Sequence, residues 1–149
     1  MADFGSLGAI LFACNFNRVR SPMAEALFRR AYGTRVFVES CGLASRVGAG
    51  VAGIDPFVAS VMAEVGCDVS DYRPHDFEDL ADSSFDLIIS LTPDAHERAL
   101  VMARGRAMAT EYWPTPDPTG AGGSRENHLE AYREVRRILQ ERIAARFGA

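Results

Sequence analysis

The chain has 149 residues, 48% of them hydrophobic, which suits one domain over residues 1–149 with a buried core. Its net charge of −4, without a basic run, argues against nucleic acid as a partner, and no apolar stretch approaches the roughly 20 residues that would span a bilayer. Its three cysteines show neither a disulfide framework nor metal-ligand spacing, so we expect no metal, no cofactor and a reducing, cytoplasmic compartment.

Strand-like and helix-like segments alternate along the first half of the chain. The first strand is predicted at Leu7–Ala13, and the first helix at Pro22–Tyr32. A β-branched second strand follows at Arg35–Glu39. The Gly- and Ala-rich stretch Gly42–Gly53 then predicts a long loop that borders a functional site.

The second half continues the alternation. Its predicted elements are a helix at Pro56–Val65, a strand at Asp86–Ser90, a helix at Pro93–Arg104, a strand near Ala107–Tyr112 and a proline-rich loop at Trp113–Gly123. Ser124 is expected to cap a last helix with the apolar stripe Leu129, Tyr132, Val135, Leu139, Ile143 and Phe147. This order predicts an α/β fold, a single-domain four-stranded parallel sheet with helices on both faces.

A Cys-x5-Arg-Ser loop connects the first strand to the first helix, from Cys14 to Ser21. Ser21 is a candidate cap for that helix, and Pro22 suits its first turn. A loop this short turns backbone N–H groups inward at the positive end of the helix dipole, where anions bind and a thiolate is stabilised.

Arg20 adds to this loop a planar guanidinium that can grip two oxygens of a tetrahedral oxyanion. With Cys14 as nucleophile, the pattern predicts hydrolysis of a phosphate monoester through a phosphocysteine. The alternative is that Cys14 only packs in the core, because a Cys and an Arg at this spacing also occur by chance. The strand, loop and helix around the motif favour the catalytic interpretation.

The segment Cys14-Asn15-Phe16-Asn17-Arg18-Val19-Arg20-Ser21-Pro22-Met23-Ala24-Glu25 resembles the active-site signature of the low-molecular-weight protein tyrosine phosphatases. The likeness runs through most of the chain and includes Ser40-Cys41-Gly42, Asp55-Pro56, Val65–Ser70, Phe85–Ile89 and Pro116-Asp117-Pro118. It implies a Rossmann-like fold and a cysteine-dependent hydrolase that needs no metal. The implied partners are a phosphorylated protein or a small phosphate ester, with inorganic phosphate as product.

The resemblance also implies a role for each residue of the site. Asp117 is the general acid that protonates the leaving oxygen and later takes a proton from water. Asn17 holds the loop's strained backbone, and the Ser21 hydroxyl donates to the thiolate. Cys14, Arg20 and Asp117 are thus the catalytic set, and the phosphate-binding loop comprises Asn15, Phe16, Asn17, Arg18, Val19, Arg20 and Ser21. Without the resemblance, Asp117 between two prolines would be interpreted as a turn residue.

Three departures from the family pattern concern the rim of the site. Phe16 stands where glycine is usual in so tight a loop, and Val19 where a second, protective cysteine is common. Arg46 stands where an aromatic wall is common, which predicts weak discrimination in favour of aryl phosphates. Arg18 and Arg46 either extend the anion site or are simply solvated.

Two other functions fit the same loop. Arsenate reduction on this scaffold uses further cysteines just after the third strand, where this chain has Ser90–His96 without a thiol. A phosphate-binding module without turnover would need neither the thiolate of Cys14 nor the acid Asp117. The remaining cysteines, Cys41 and Cys67, are predicted to pack as small hydrophobic side chains, and His75, His96 and His128 to lie at the surface.

Overall fold

The computed structural model describes residues 2–44, 53–80 and 82–148. Its four strands are β1 (Ala9–Cys14), β2 (Phe37–Gly42), β3 (Leu87–Ser90) and β4 (Ala109–Tyr112). They form one parallel sheet in the order β2-β1-β3-β4, which confirms the predicted fold class. The chain moves outward from β1 to β2 and then returns to the other side of β1. Ligands of such sheets bind at this switch point, beyond the carboxyl ends of the strands.

Helices cover both faces of the sheet, as predicted. They are α1 (Arg20–Tyr32), α2 (Pro56–Ala63), α3 (Pro93–Ala103) and α4 (Arg125–Phe147), with short 3-10 helices at Phe77–Leu80 and Pro118–Gly120. One core lies between the sheet and α1, α2 and α4, and the other lies against α3 and the first 3-10 helix. The central strand β1 reads AILFAC because both of its faces are buried in this way.

Alternation along β1 decides which core each of its side chains enters. Ile10, Phe12 and Cys14 belong to the core beneath α1, α2 and α4, whereas Leu11 and Ala13 belong to the core beneath α3. Cys14 is therefore directed to the same side of the sheet as the beginning of α1.

Several predicted boundaries shift in the structure. Helix α1 begins at Arg20 instead of Pro22, and its cap position is Val19, which has no capping side chain. The prediction that Ser21 caps this helix is therefore wrong, because Ser21 is buried in the first turn. Strand β2 was predicted to end at Glu39 but continues to Gly42, because β1 offers it a pairing partner as far as Cys14.

Helix α4 agrees closely with its prediction. The six residues of the apolar stripe are all buried, and the Ser124 hydroxyl accepts a hydrogen bond of 3.2 Å from the backbone N–H of Asn127. This amphipathic face, rather than the intrinsic propensity of its residues, holds the helix in place. In the described ranges, no helix combines the length and the hydropathy that crossing a membrane requires.

Candidate active site

Cys14 lies at the carboxyl end of β1 and is only 2% exposed. Its Sγ is 2.9 Å from the Ser21 hydroxyl, which sits in the first turn of α1. The intervening loop and residues from two distant segments enclose a cavity of about 90 Å³. The cavity is lined by Cys14, Phe16, Arg18, Val19, Arg20, Asp55, Asp117 and Thr119. The structure thus brings together the three predicted catalytic residues.

Asn17 holds the middle of the loop. It is fully buried and has a positive φ of 56°, the only such non-glycine residue in the described part of the chain. Its Nδ2 donates to the hydroxyls of Ser21, at 2.8 Å, and Ser40, at 3.1 Å. Its Oδ1 accepts from the Tyr72 hydroxyl, at 2.7 Å, and from the backbone N–H of His75, at 2.9 Å. Asparagine tolerates this left-handed conformation, and the four hydrogen bonds offset its cost.

The hydrogen bonds continue from Asn17 away from the cavity. The Ser40 hydroxyl contacts Tyr72 and donates 2.7 Å to the Glu25 carboxylate, which also accepts 2.7 Å from Arg29. Burial raises the pKa of Glu25, although the Ser40 hydrogen bond and the Arg29 charge oppose the rise. Burial also raises the pKa of Tyr72, which keeps its hydroxyl a donor at neutral pH. This chain of side chains fixes the loop from behind.

No role for Tyr72 or Glu25 was predicted from the sequence, although Glu25 ends the segment that resembles the family signature. Glu25 does carry a signal, because it is a charged residue on the face of α1 that otherwise buries Ala24 and Leu27. A carboxylate in such a position must have partners, which directs attention to neighbouring polar groups. Tyr72 lies in an irregular polar segment and offers no comparable signal.

Gly42 packs directly against the backbone of the phosphate loop. A Cβ atom there would lie 2.7 Å from the backbone N of Asn17, 2.8 Å from the carbonyl carbon of Phe16 and 2.9 Å from the carbonyl oxygen of Asn15. All three are backbone atoms that cannot rotate away. The close approach explains why glycine ends β2, and the neighbouring N–H groups of Leu43 and Ala44 both donate to the same Asn15 oxygen.

Phe16 is accommodated in the loop without a positive φ, because the left-handed position falls on Asn17 instead. Phe16 therefore does not need the backbone freedom that glycine provides, and 45% of the residue is exposed. Asn15, next to it, accepts a 2.7 Å hydrogen bond from Thr92, the residue that caps α3. The loop is therefore also tied to the element that follows β3.

Asp117 reaches the cavity from the loop after β4. Its Oδ1 accepts hydrogen bonds from the backbone N–H and the hydroxyl of Thr119, at 2.9 and 2.7 Å. Partial burial favours the protonated acid, but these hydrogen bonds and the Arg20 charge outweigh it and hold the pKa of Asp117 below its usual range. These contacts favour the carboxylate form of Asp117, so a role as general acid requires that a negatively charged substrate beside it raise its pKa.

Two arginines connect the Asp117 loop to the rest of the molecule. Arg20 donates 3.0 Å to the carbonyl oxygen of Thr115, so the residue that begins α1 also contacts the loop that carries Asp117. Arg142 of α4 donates 2.5 Å to the carbonyl oxygen of Pro114. Trp113 packs edge-on against Phe12 of the core and is not among the residues that line the cavity.

Asp55 also lines the cavity, although its sequence context predicts no function for it. One of its oxygens caps α2 by accepting from the N–H of Phe57, and the other accepts 2.8 Å from the Tyr132 hydroxyl. Arg18 lies nearby, and its Nε donates 3.2 Å to the carbonyl oxygen of Gly53. Tyr132 is the residue that could have indicated this contact from the sequence. Its hydroxyl needs a hydrogen-bond partner because it belongs to the buried stripe of α4.

Neither of the other cysteines is among the residues that line the cavity of Cys14. Cys41 pairs with Ala13 in the sheet and enters the core beneath α3, on the opposite face from Cys14. It packs as predicted, and burial raises its pKa. Cys67 is partly buried and lies next to α1, where it lines a pocket together with Pro22 and Glu25. The described ranges contain no cluster of three His, Cys, Asp or Glu side chains suited to a metal ion.

The predicted role of Arg46 falls outside the described residues, as does the rest of the 45–52 segment. The three histidines are all partly exposed, and none is among the residues that line the cavity in the described structure. His75 still contributes to the site through its backbone, which donates to Asn17 and accepts from the N–H of Gly42.

Comparison with known proteins agrees with this geometry. The family model of the low molecular weight phosphotyrosine protein phosphatase matches residues 9–147. The chain is 28% identical to a glutaredoxin arsenate reductase of Synechocystis over 90% of this chain and 92% of the relative. It is also 28% identical to an arsenate reductase of Bacillus subtilis over 90% of this chain and 91% of that protein.

A solved structure, the tyrosine phosphatase amsI of Erwinia amylovora, superposes with a TM-score of 0.72. The alignment covers 97% of this chain and 98% of that one, at 22% identity, and so bears on the fold alone. The chain belongs to the low molecular weight phosphotyrosine protein phosphatase family. This family is enzymatic and includes proteins named as phosphatases and proteins named as arsenate reductases.

Proposed function

We propose that this protein is a cysteine-dependent phosphatase that hydrolyses phosphate monoesters, of the protein tyrosine phosphatase type, through a phosphocysteine on Cys14. The observation that carries the proposal is that Cys14, at the end of β1, and Asp117, after β4, line one cavity together with Arg20. A nucleophile, an anion-binding cation and a carboxylic acid in one cavity are the groups that this reaction needs.

In the first step, the Cys14 sulfur attacks phosphorus and the bond from phosphorus to the ester oxygen breaks. Asp117 gives its proton to the departing oxygen, so the alcohol or phenol leaves neutral. In the second step, water attacks the phosphocysteine and Asp117 takes its proton. The bond from phosphorus to sulfur breaks, and inorganic phosphate and the Cys14 thiolate are released.

The other residues prepare the site for these steps. The Ser21 hydroxyl is placed to donate to the thiolate in both steps, and Asn17 holds Ser21 from the side away from the cavity. The Arg20 guanidinium balances the charge on the phosphoryl oxygens. Arg20 also donates to the Thr115 carbonyl oxygen and so connects the phosphate loop to the loop that carries Asp117. The free cysteines fit a reducing, cytoplasmic setting for this chemistry.

Arsenate reduction is the second candidate and fits the comparisons equally, because the relatives from Synechocystis and Bacillus subtilis are named as arsenate reductases. Arsenate would bind the same loop, and the Cys14 sulfur would form a bond to arsenic as water leaves; a second thiol would then attack that sulfur, so that arsenite departs and a disulfide forms. Cys41 lies on the other face of the sheet, and Cys67 lies beside α1. Neither lines the cavity of Cys14, which favours an external thiol as the second one.

The test compares both activities in the same preparation. Phosphate release from an aryl phosphate is measured for the wild type and for Cys14→Ser, with and without EDTA. Consumption of arsenate is measured with glutathione and glutaredoxin, and with thioredoxin. The proposal expects phosphate release that requires Cys14 and resists EDTA. It is wrong if arsenate is reduced efficiently while aryl phosphates are not hydrolysed, or if Cys14→Ser hydrolyses them undiminished.

A further inference from the structure

Phe16 and Arg18 are two side chains of the phosphate loop to which the proposed reaction assigns no step. Both line the cavity of Cys14, and they flank the buried Asn17 in the sequence. Phe16 is 45% exposed, and no other aromatic ring in the described part of the chain packs against it. An exposed phenyl group at the mouth of a cavity is available to a ligand.

Arg18 is anchored through only one of its nitrogens. Its Nε donates to the carbonyl oxygen of Gly53, and its own carbonyl accepts from the N–H of Asp55. The Asp55 carboxylate, which also lines the cavity, accepts from the N–H of Phe57 and the hydroxyl of Tyr132 and makes no hydrogen bond to Arg18. Among the described residues, the two terminal nitrogens of Arg18 have no hydrogen-bond or ion-pair partner. They remain free to bind an anion beside the phosphate.

Arg20 does not compete for that second anion. It contacts the Thr115 carbonyl oxygen, and in the proposed reaction it binds the phosphoryl group. The cavity therefore offers one arginine for the phosphate, a second arginine for another negative charge, and the aromatic ring of Phe16. A neutral alkyl phosphate would use only the first of these three features.

We propose that the substrates of this site are aryl phosphates with a carboxylate next to the phosphate-bearing ring, with Phe16 contacting the ring and Arg18 pairing with the carboxylate. This inference rests on the proposed phosphatase function. It predicts a stronger aryl preference than the one expected from Arg46, which lies outside the described residues, because the aromatic contact would come from the phosphate loop itself. A phosphotyrosine with an acidic neighbour and a small carboxylated aryl phosphate share this chemistry.

The test uses pairs of substrates with the same leaving group. One pair is phosphotyrosine peptides that differ only in Asp or Asn beside the phosphotyrosine, and the other is N-acetylphosphotyrosine and its amide. For the wild type, kcat/KM should be about 2- to 5-fold higher for the acidic member of each pair. This ratio corresponds to the free energy of one exposed ion pair. A preference found only in the peptide pair would indicate a protein substrate. A preference found only in the small-molecule pair would indicate a small phosphate ester.

Arg18→Gln should reduce this ratio to about one, and 0.5 M salt should lower it in the wild type by screening. Arg30→Gln is the matched control, because Arg30 is an exposed arginine of α1 outside the cavity and its loss should leave the ratio unchanged. Each variant is judged by the ratio of its kcat/KM values for the acidic and the neutral substrate. A general change in activity affects both values and therefore cancels. Phe16→Ala should lower the preference for an aryl over an alkyl phosphate by about 2- to 12-fold.

The outcomes separate this inference from the function on which it rests. If the wild type hydrolyses neither member of either pair, the proposed phosphatase function fails. If it hydrolyses both members equally, or if Arg18→Gln and Arg30→Gln change the ratio alike, only the role of Arg18 fails. An aryl preference that survives Phe16→Ala would contradict the aromatic contact.

Discussion

The hydroxyl of Thr119 offers a way to move the pH dependence of catalysis without touching a reacting group. It donates 2.7 Å to Asp117 Oδ1, and the backbone N–H of Thr119 donates to the same oxygen. Thr119→Val keeps the branched shape and the backbone donor but removes the hydroxyl. Both hydrogen bonds stabilise the charged carboxylate, so losing one must raise the pKa of Asp117.

The size of the shift follows from the strength of one hydrogen bond. A single bond contributes about 0.5–1.5 kcal/mol and one pKa unit corresponds to about 1.4 kcal/mol, so we expect a rise of about half a unit to one unit. A general acid acts only while protonated. A higher pKa keeps Asp117 protonated to higher pH, so the falling limb of the kcat/KM profile should move upward by the same amount.

The assay is kcat/KM for a poor-leaving-group aryl phosphate across pH, because kcat/KM reports groups of the free enzyme. The substrate's own ionisation is common to both proteins and cancels in the comparison. Asp117→Asn and the Asp117→Asn/Thr119→Val double variant are the control pair, and their profiles should coincide. A uniform loss at all pH values in Thr119→Val, or a shift in the double variant as large as in the single one, would refute the reasoning.

Three further predictions concern the loop and its thiol. Gly42→Ala should lower activity and phosphate affinity together, since its Cβ would push the loop backbone, whereas Gly122→Ala, which meets no atom within 4 Å, should change neither. Asp117→Asn should slow poor leaving groups by about 10²–10⁴-fold and activated ones far less; equal effects would make it a turn residue. After a peroxide pulse, dithiothreitol should restore less activity in the wild type than in Val19→Cys, because residue 19 of the wild type offers no thiol and Cys41 lies on the other face of the sheet; full wild-type recovery would contradict this.

The sequence predicts those parts of the fold that repeat or stand next to one another along the chain. The alternation of elements gives the parallel sheet, and the spacing of apolar residues gives all six buried positions of α4. The Cys14 loop is predictable for the same reason, because its strand, turn and helix are contiguous. The placement of Asp117 in the same cavity also follows from a general rule, since the loops after parallel strands share one edge of the sheet.

Side-chain hydrogen bonds between distant segments leave no such pattern. Tyr72 contacts Asn17 and Ser40 from an irregular segment, and Tyr132 contacts Asp55 from the last helix. The end of β2 was missed for a related reason. Serine, cysteine and glycine are typical of a turn, and only the register with β1 carries the strand as far as Gly42.

Residues behind the phosphate loop tolerate less change than those that face the cavity. Asn17 makes four hydrogen bonds, and a Cβ atom on Gly42 would meet three backbone atoms of the loop, so a substitution at either would leave buried groups unpaired or displace the loop. Phe16 and Arg18 face the cavity, and neither has a positive φ. Side chains there can change while the loop keeps its shape. If Phe16 and Arg18 recognise the substrate as proposed, recognition can diverge while the residues that hold the loop stay the same.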